Sequence, residues 1–252
     1  MLVKKLKYLV IGLILIASIY PLGSAYLENR EKEKSARNME SSVILYTLEN
    51  HQFNVPLKYN YLLYKQVDNV YQKTGQWHTP NNEITNFGPD IFVIFPDMLP
   101  YSKKTSDKFS TRDFGDIVSI RLRGHKYDIG GFQGWFQKLR DHFTVASSSI
   151  TVVGFSHEVP NLLHVIDDEG PMVKNKHVHK DMFVKPINEL NDFFYIACRR
   201  YLNEESDLTP SCKLYTTYGN SRLVITFSRN HVSDWEKIMD SSVILLDSFK
   251  MS

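Results

Sequence analysis

Two stretches of this chain carry the same pattern about a hundred residues apart, and an internal repeat constrains architecture more than any single motif. Asp192-Phe-Phe-Tyr-Ile-Ala-Cys198 matches Asp90-Ile-Phe-Val-Ile-Phe95 at an offset of 102 residues. Leu223, Ile225 and Phe227 fall on Val118, Ile120 and Leu122 at an offset of 105, so the alternation keeps its parity. Trp235 falls on Trp135 at an offset of 100, and Val159-Pro160 on Val55-Pro56 at 104. The pattern predicts an α+β fold of two tandem, similar modules, residues 43–147 and 148–252, each an antiparallel sheet covered by a C-terminal helix.

Local patterning fills in the modules. From Phe53 to Tyr64 aromatic and aliphatic residues partly alternate, as in a strand with one wetter face, and Pro56 places that strand at an edge or a start. Asp90 to Phe95 is apolar on both faces and reads as a central strand. Pro96 and Pro100 end it, and the polar stretch to Asp116 reads as a long hairpin loop before the strand Ile117 to Leu122. Phe132, Trp135, Phe136, Leu139 and Phe143 recur at helical spacing and predict a helix that covers the sheet. Ser147-Ser-Ser149 marks the boundary between the modules.

In the second module Ile150 to Phe155, the run from Val159 to Ile166, and Met182 to Ile187 read as strands. Phe193 to Cys198 and Lys213 to Tyr218 are hairpin arms, and Gly219-Asn220 supplies a tight turn into Leu223 to Phe227. Ser233 followed by Glu236 has capping-box spacing and predicts the start of a last helix. Trp235, Ile238, Met239, Leu245, Leu246 and Phe249 form its buried stripe.

The N-terminus puts Lys4, Lys5 and Lys7 before an uncharged run from Tyr8 to Leu27, followed by a charged tether over residues 28–42. Two readings fit residues 1–27. One is a secretory signal whose small residues Gly23 and Ala25 mark cleavage. The other is a membrane anchor through residues 8–27, since a spanning helix needs about 20 residues. The whole chain carries a net charge of +2, and three of its lysines precede the apolar run, so the body is nearly neutral. A neutral body excludes nucleic acid as the main partner, because phosphate recognition needs a strongly basic surface. Cys198 and Cys212 lie on consecutive predicted strands of one hairpin, which brings a disulfide within reach. Such a bond implies an oxidising, periplasmic or otherwise extracytoplasmic setting, whereas two buried free thiols would leave the compartment open.

Side-chain chemistry offers little for catalysis. His177 and His179, two apart on a predicted strand, project to one face and form a weak metal candidate. A zinc site needs at least three protein ligands, and Lys176 and Lys180 flank the pair. Gly154-Phe-Ser156-His157-Glu158 lacks the second glycine of a nucleophile elbow. The turn Asp128-Ile-Gly-Gly-Phe-Gln-Gly134 has neither a phosphate-loop ending nor dinucleotide spacing. Asp167, Asp168 and Glu169 read as an exposed turn, because the spaced oxygen ligands of a calcium loop are missing. No cofactor is implied.

The loop from Pro96 to Asp116 mixes Tyr101, Phe109 and Phe114 with Lys103, Lys104, Lys108 and Arg112, side-chain types that dominate protein interfaces. Its counterpart from Arg199 to Ser211 is shorter and acidic at Glu204, Glu205 and Asp207. These features point to an exported or membrane-anchored envelope protein that binds another protein without catalysis, such as an inhibitor or immunity protein against a delivered toxin. The alternatives are an exported metal-assisted hydrolase using His177 and His179, and a structural subunit of an envelope assembly.

Overall fold

The computed structural model describes residues 26–27, 30, 40–74, 83–85, 88–110, 114–124, 137, 150–167, 178–186, 193–201 and 209–251. The expected signal or anchor apart from residues 26–27, the helix around Trp135 apart from Gln137, and the boundary at residues 147–149 lie outside them.

The chain is α+β, with antiparallel pairing dominant and a helix at its C-terminal end. Strands β1 (Val43–Leu48) and β2 (His51–Pro56) form a hairpin, and β3 (Glu83–Thr85) joins β1 in parallel to complete a three-stranded sheet. An eight-stranded antiparallel sheet takes β4 (Asp90–Ile94) and β5 (Ile117–Arg123) from the first half of the chain. From the second half come β6 (Ile150–Phe155), β7 (Leu163–Asp167), β8 (Val178–Val184), β9 (Tyr195–Tyr201), β10 (Ser211–Tyr218) and β11 (Ser221–Ser228). Their spatial order is β4-β5-β11-β10-β9-β8-β7-β6.

That order differs from the expectation of two modules with a sheet apiece. Strands β5 and β11 pair antiparallel, Leu122 opposite Leu223 and Ile120 opposite Ile225, so the two halves share one sheet. The connectivity differs as well. The second half runs β6 to β11 as a meander, whereas the first half places a helix between its two hairpins. The pairing continues one apolar face, with Val118, Ile120 and Leu122 of β5 and Leu223, Ile225 and Phe227 of β11 all buried in the same core.

The main core lies between one face of the large sheet and a layer made by the small sheet and the C-terminal helix. Ile91, Val118, Ile120, Leu214, Ile225 and Phe227 meet Ile44, Phe53, Val55, Trp235, Ile238 and Leu246 there. A second cluster, including Val165, Val184, Tyr195 and Tyr215, is buried on strands β7 to β11. A smaller third cluster joins Phe92 and Ile94 to Phe109.

Two expected element bounds move. The strand expected from Phe53 to Tyr64 stops at Pro56; a short 3-10 turn, Leu57–Tyr59, leads into a helix, Tyr61–Thr74. Asn60 starts that helix, its Oδ1 accepting from the Leu63 amide at 3.2 Å. The last helix runs Trp235–Phe249, but Ser233 lies inside the preceding 3-10 turn Arg229–Asp234, so the Ser233–Glu236 box is not its cap. Trp235, Ile238, Ser242 and Leu246 form the helix's most buried stripe, and Ser242 satisfies its hydroxyl on the Ile238 carbonyl at 2.7 Å. Past the helix the chain lies along β2, where Lys250 bridges to Phe53 and the Met251 amide donates to the Gln52 carbonyl at 2.9 Å.

Candidate functional site

After β4, residues 96–110 are tied together by their own polar groups. After the cis Phe95-Pro96 bond, Leu99 turns back to pair with Ile94, each amide donating to the other's carbonyl. The Thr105 hydroxyl donates to the Pro100 carbonyl at 2.9 Å and accepts from the Ser102 amide at 2.8 Å. A single helical turn, Ser106–Phe109, follows and drops Phe109 onto Phe92 and Ile94.

The helix Tyr61–Thr74 clamps the loop from one side through aromatic contacts. The Tyr61 ring lies 4.9 Å from Phe109 and 5.1 Å from Tyr101, and Tyr64 lies 4.9 Å from Tyr101. Burial raises the pKa of the Tyr101 phenol and takes that of Tyr64 to about 12, with Asp68 and Glu40 adding to the latter. Both hydroxyls therefore stay protonated at neutral pH. On the far side of the loop, Asp116 accepts from Lys108 at 3.0 Å and is joined to His231 at 3.2 Å. The Lys108 hydrogen bond holds the Asp116 carboxyl below its ordinary pKa; burial opposes this, and His231 adds to it.

These contacts sort the residues expected to meet a partner. Lys103 and Lys104 are exposed, and Tyr101 and Phe114 are partly exposed. Lys108 reaches solvent while pinned to Asp116. Phe109 is 4% exposed, so it anchors the loop and offers nothing to a partner; an aromatic in a polar loop fits either role, and here the apolar β4 face takes it. Arg112 lies outside the described residues. Beside the loop, Lys58, Leu99, Tyr101, Ser102 and Lys104 line a cleft of about 310 Å³. Leu99, 45% exposed, lines it together with the two lysines and Glu40, and the sequence reading had missed it.

A separate polar cluster ties the ends of the meander together. Arg229 donates Nε and Nη2 to the two carboxylate oxygens of Glu158, each at 2.6 Å, and Nη1 to Asp181 Oδ2 at 2.7 Å. His164 Nε2 meets the other Asp181 oxygen at 3.3 Å, and its ring stacks on Phe183. Glu158, and then Asp181, raise the pKa of the guanidinium against its partial burial. The bidentate pair and the buried Asp181 make this a structural clasp. Sequence spacing gave no sign of it, since Arg229 lies 71 residues from Glu158 and 48 from Asp181.

The remaining sequence candidates separate cleanly. Cys198 and Cys212 are bonded, directly opposite each other on β9 and β10. Ser156 Oγ accepts from the amides of Glu158 and Val159, which makes it a turn residue. His179 lies on β8 in register with Arg200, while His177 falls outside the described residues. Among the described residues no three metal-ligating side chains come together, and no helix is long and apolar enough to cross a membrane.

No protein-family model matches the chain, and no curated protein matches it either. Among solved structures, an immunity protein of the Stenotrophomonas maltophilia type IV secretion system has a similar fold. The TM-score is 0.50 at 12% identity, over 84% of this chain and 94% of that one. The Neisseria meningitidis iron-regulated outer membrane lipoprotein FrpD also aligns, at a TM-score of 0.48 and 12% identity over 84% of this chain and 93% of that one. At this identity the first likeness is one of fold alone.

Proposed function

We propose that this chain is an extracytoplasmic envelope protein that binds another protein without catalysis, and that it acts as an immunity protein against a delivered toxin. The observation that carries the reading is the loop of residues 96–116. It is fixed to the sheet by Phe109 and clamped by Tyr61 and Tyr64; its Leu99, Tyr101 and Lys104 line a cleft with Lys58 and Glu40, and Lys103 is exposed next to Lys104 in the chain. A surface held rigid before contact loses little conformational entropy on binding. Exposed lysines around an apolar residue suit a partner with an acidic rim and one apolar projection. The disulfide supports the extracytoplasmic placement, because such bonds persist in oxidising compartments. A similar fold in an immunity protein of a secretion system is the reason for ranking immunity ahead of other binding roles.

Contact competition tests this. A strain lacking the protein should be outcompeted by its parent under dense contact and rescued by the wild-type chain. The Lys103→Glu/Lys104→Glu variant should rescue at least tenfold less well. Equal survival of parent and deletion strain would remove the immunity role, and full rescue by the charge-reversed variant would move the contact surface elsewhere.

A further inference from the structure

A second cleft, of about 370 Å³, opens where β1, the start of the helix Tyr61–Thr74 and the ends of β4 and β5 converge. That volume falls among those of small-ligand sites, roughly 300–1,000 Å³. Its floor is polar and built. The Tyr46 hydroxyl, on a residue 2% exposed, accepts from Asn60 Nδ2 at 2.6 Å. The Asn60 amide cannot turn over, because its Oδ1 is engaged with the Leu63 amide at the helix start. Tyr46 therefore receives the Asn60 hydrogen and keeps its own proton to donate.

The wall beside this floor carries the Arg123 guanidinium and the Asp90 carboxylate, and Arg121, outside the cleft lining, also holds Asp90. Arg121 Nε donates to Asp90 Oδ1 at 2.9 Å. Arg123 Nη2 stands 3.6 Å from the other oxygen, too far for a hydrogen bond, while its Nη1 donates to the Leu122 carbonyl at 2.9 Å. Arg123 can leave Asp90 without orphaning it, because Arg121 remains. Burial raises the Tyr46 pKa; the Asn60 hydrogen bond lowers it, Asp90 raises it and Arg123 lowers it, which puts both charges around the same hydroxyl. Facing them, Leu63 and Ile84 give the cleft an apolar side, and Leu62, 57% exposed, stands at its rim.

We propose that this cleft binds a carboxylate carried on a short apolar body, with its oxygens on the Arg123 guanidinium and the Tyr46 hydroxyl and its body against Leu63 and Ile84. A planar guanidinium with free N–H groups beside a fixed O–H is the arrangement that favours a carboxylate over its neutral amide. The same chemistry is supplied by a free short-chain acid or by a glutamate side chain of a partner. This site is separate from the lysine-rimmed loop and stands or falls independently of it.

Titration of the full chain with 4-methylpentanoate, followed by calorimetry or by amide chemical shifts, should show binding at least tenfold tighter than that of 4-methylpentanamide. Arg123→Gln should reduce the acid to the level of the amide. Leu62→Trp, made at an exposed position, should obstruct the cleft and weaken the acid severalfold while the Tm stays near that of the wild type, so the test survives if Arg123→Gln unfolds. A short peptide with one central glutamate, compared with its glutamine counterpart, separates the sources: tighter binding of the peptide assigns a partner side chain, and tighter binding of the free acid assigns a small molecule. Equal affinity for acid and amide, unchanged affinity in Arg123→Gln, or no binding of either acid or peptide at millimolar concentration would overturn the proposal.

Discussion

Ile120 on β5 and Ile225 on β11, the pair matched in sequence at an offset of 105, stand directly opposite each other where the two halves of the chain join in the large sheet. Opposed residues of an antiparallel pair lie on the same face, and both side chains are fully buried in the main core. Truncating either to alanine should cost about 2–5 kcal/mol in urea denaturation. The double variant should depart from additivity by about 0.5 kcal/mol or more, since neighbours share the space that each vacates. Strict additivity would mean that the two are not packed against each other.

Arg229→Gln should cost about 3 kcal/mol, because it strips the nearly buried Asp181 of its strongest partner. Adding Asp181→Asn should recover part of the loss, as a neutral amide needs no counter-charge. If the double variant proves less stable than Arg229→Gln alone, the clasp does not work through charge.

Within the loop, Phe109→Ala should lower stability by about 3–5 kcal/mol, the usual range for a buried aromatic. Lys103→Glu and Lys104→Glu should stay within about 0.5 kcal/mol of the wild type. Thermal denaturation of the three variants checks the division between anchor and contact residues; a stable Phe109→Ala would undo it.

Reducing the Cys198–Cys212 bond, or replacing both residues with alanine, should cost about 3 kcal/mol, the scale of loop-closure entropy for a separation of 14 residues. Both residues sit in the main core, so a packing loss adds to the entropic one in the double alanine variant but not on reduction. The reductant should therefore lower the Tm less than the substitutions do.

The lowered pKa of Asp116 fixes the sign of a pH effect. The carboxyl binds its proton less readily when folded than when unfolded, so its contribution is present above the unfolded value near pH ~3.9 and is lost as pH falls through the folded one. Its side chain is 43% exposed, so solvent screening keeps the contribution under about 1 kcal/mol. Asp116→Asn should be less stable than wild type at pH 6, and the gap should narrow as pH falls below about 4. A gap that widens on acidification would contradict the assignment.

Much of the fold was written in short-range pattern. Alternation located β4 to β6 and β9 to β11, the Gly219-Asn220 turn fixed the last hairpin, and the stripe from Trp235 located the final helix. Pairing across the chain was hidden. The matched parity of β5 and β11 suggested copies standing apart, yet it is also what two strands need to share one core face as neighbours. The first turn of the helix Tyr61–Thr74, up to Tyr64, reads as strand in the sequence because Tyr61 and Tyr64 continue the aromatic run of β2, and the cap that Asn60 supplies shows only in the structure. The loop's lysines were legible as exposed; the inward turn of Phe109 was not, since it depends on the apolar surface that β4 presents. The Arg229 clasp had no local signature, because its partners come from β8 and from the turn between β6 and β7.

The placement of β11 beside β5 also governs how the molecule assembles. Strand β5 gains its second neighbour only after about a further hundred residues have been added, and residues 250–251 reach β2 only after that. Contacts so distant along the chain demand large loop closures before they return any energy, and topologies of that kind fold slowly. Until then the exposed flank of β5 is an invitation to pair with the wrong strand, so a helper that shields it during synthesis or export would raise the yield of native protein.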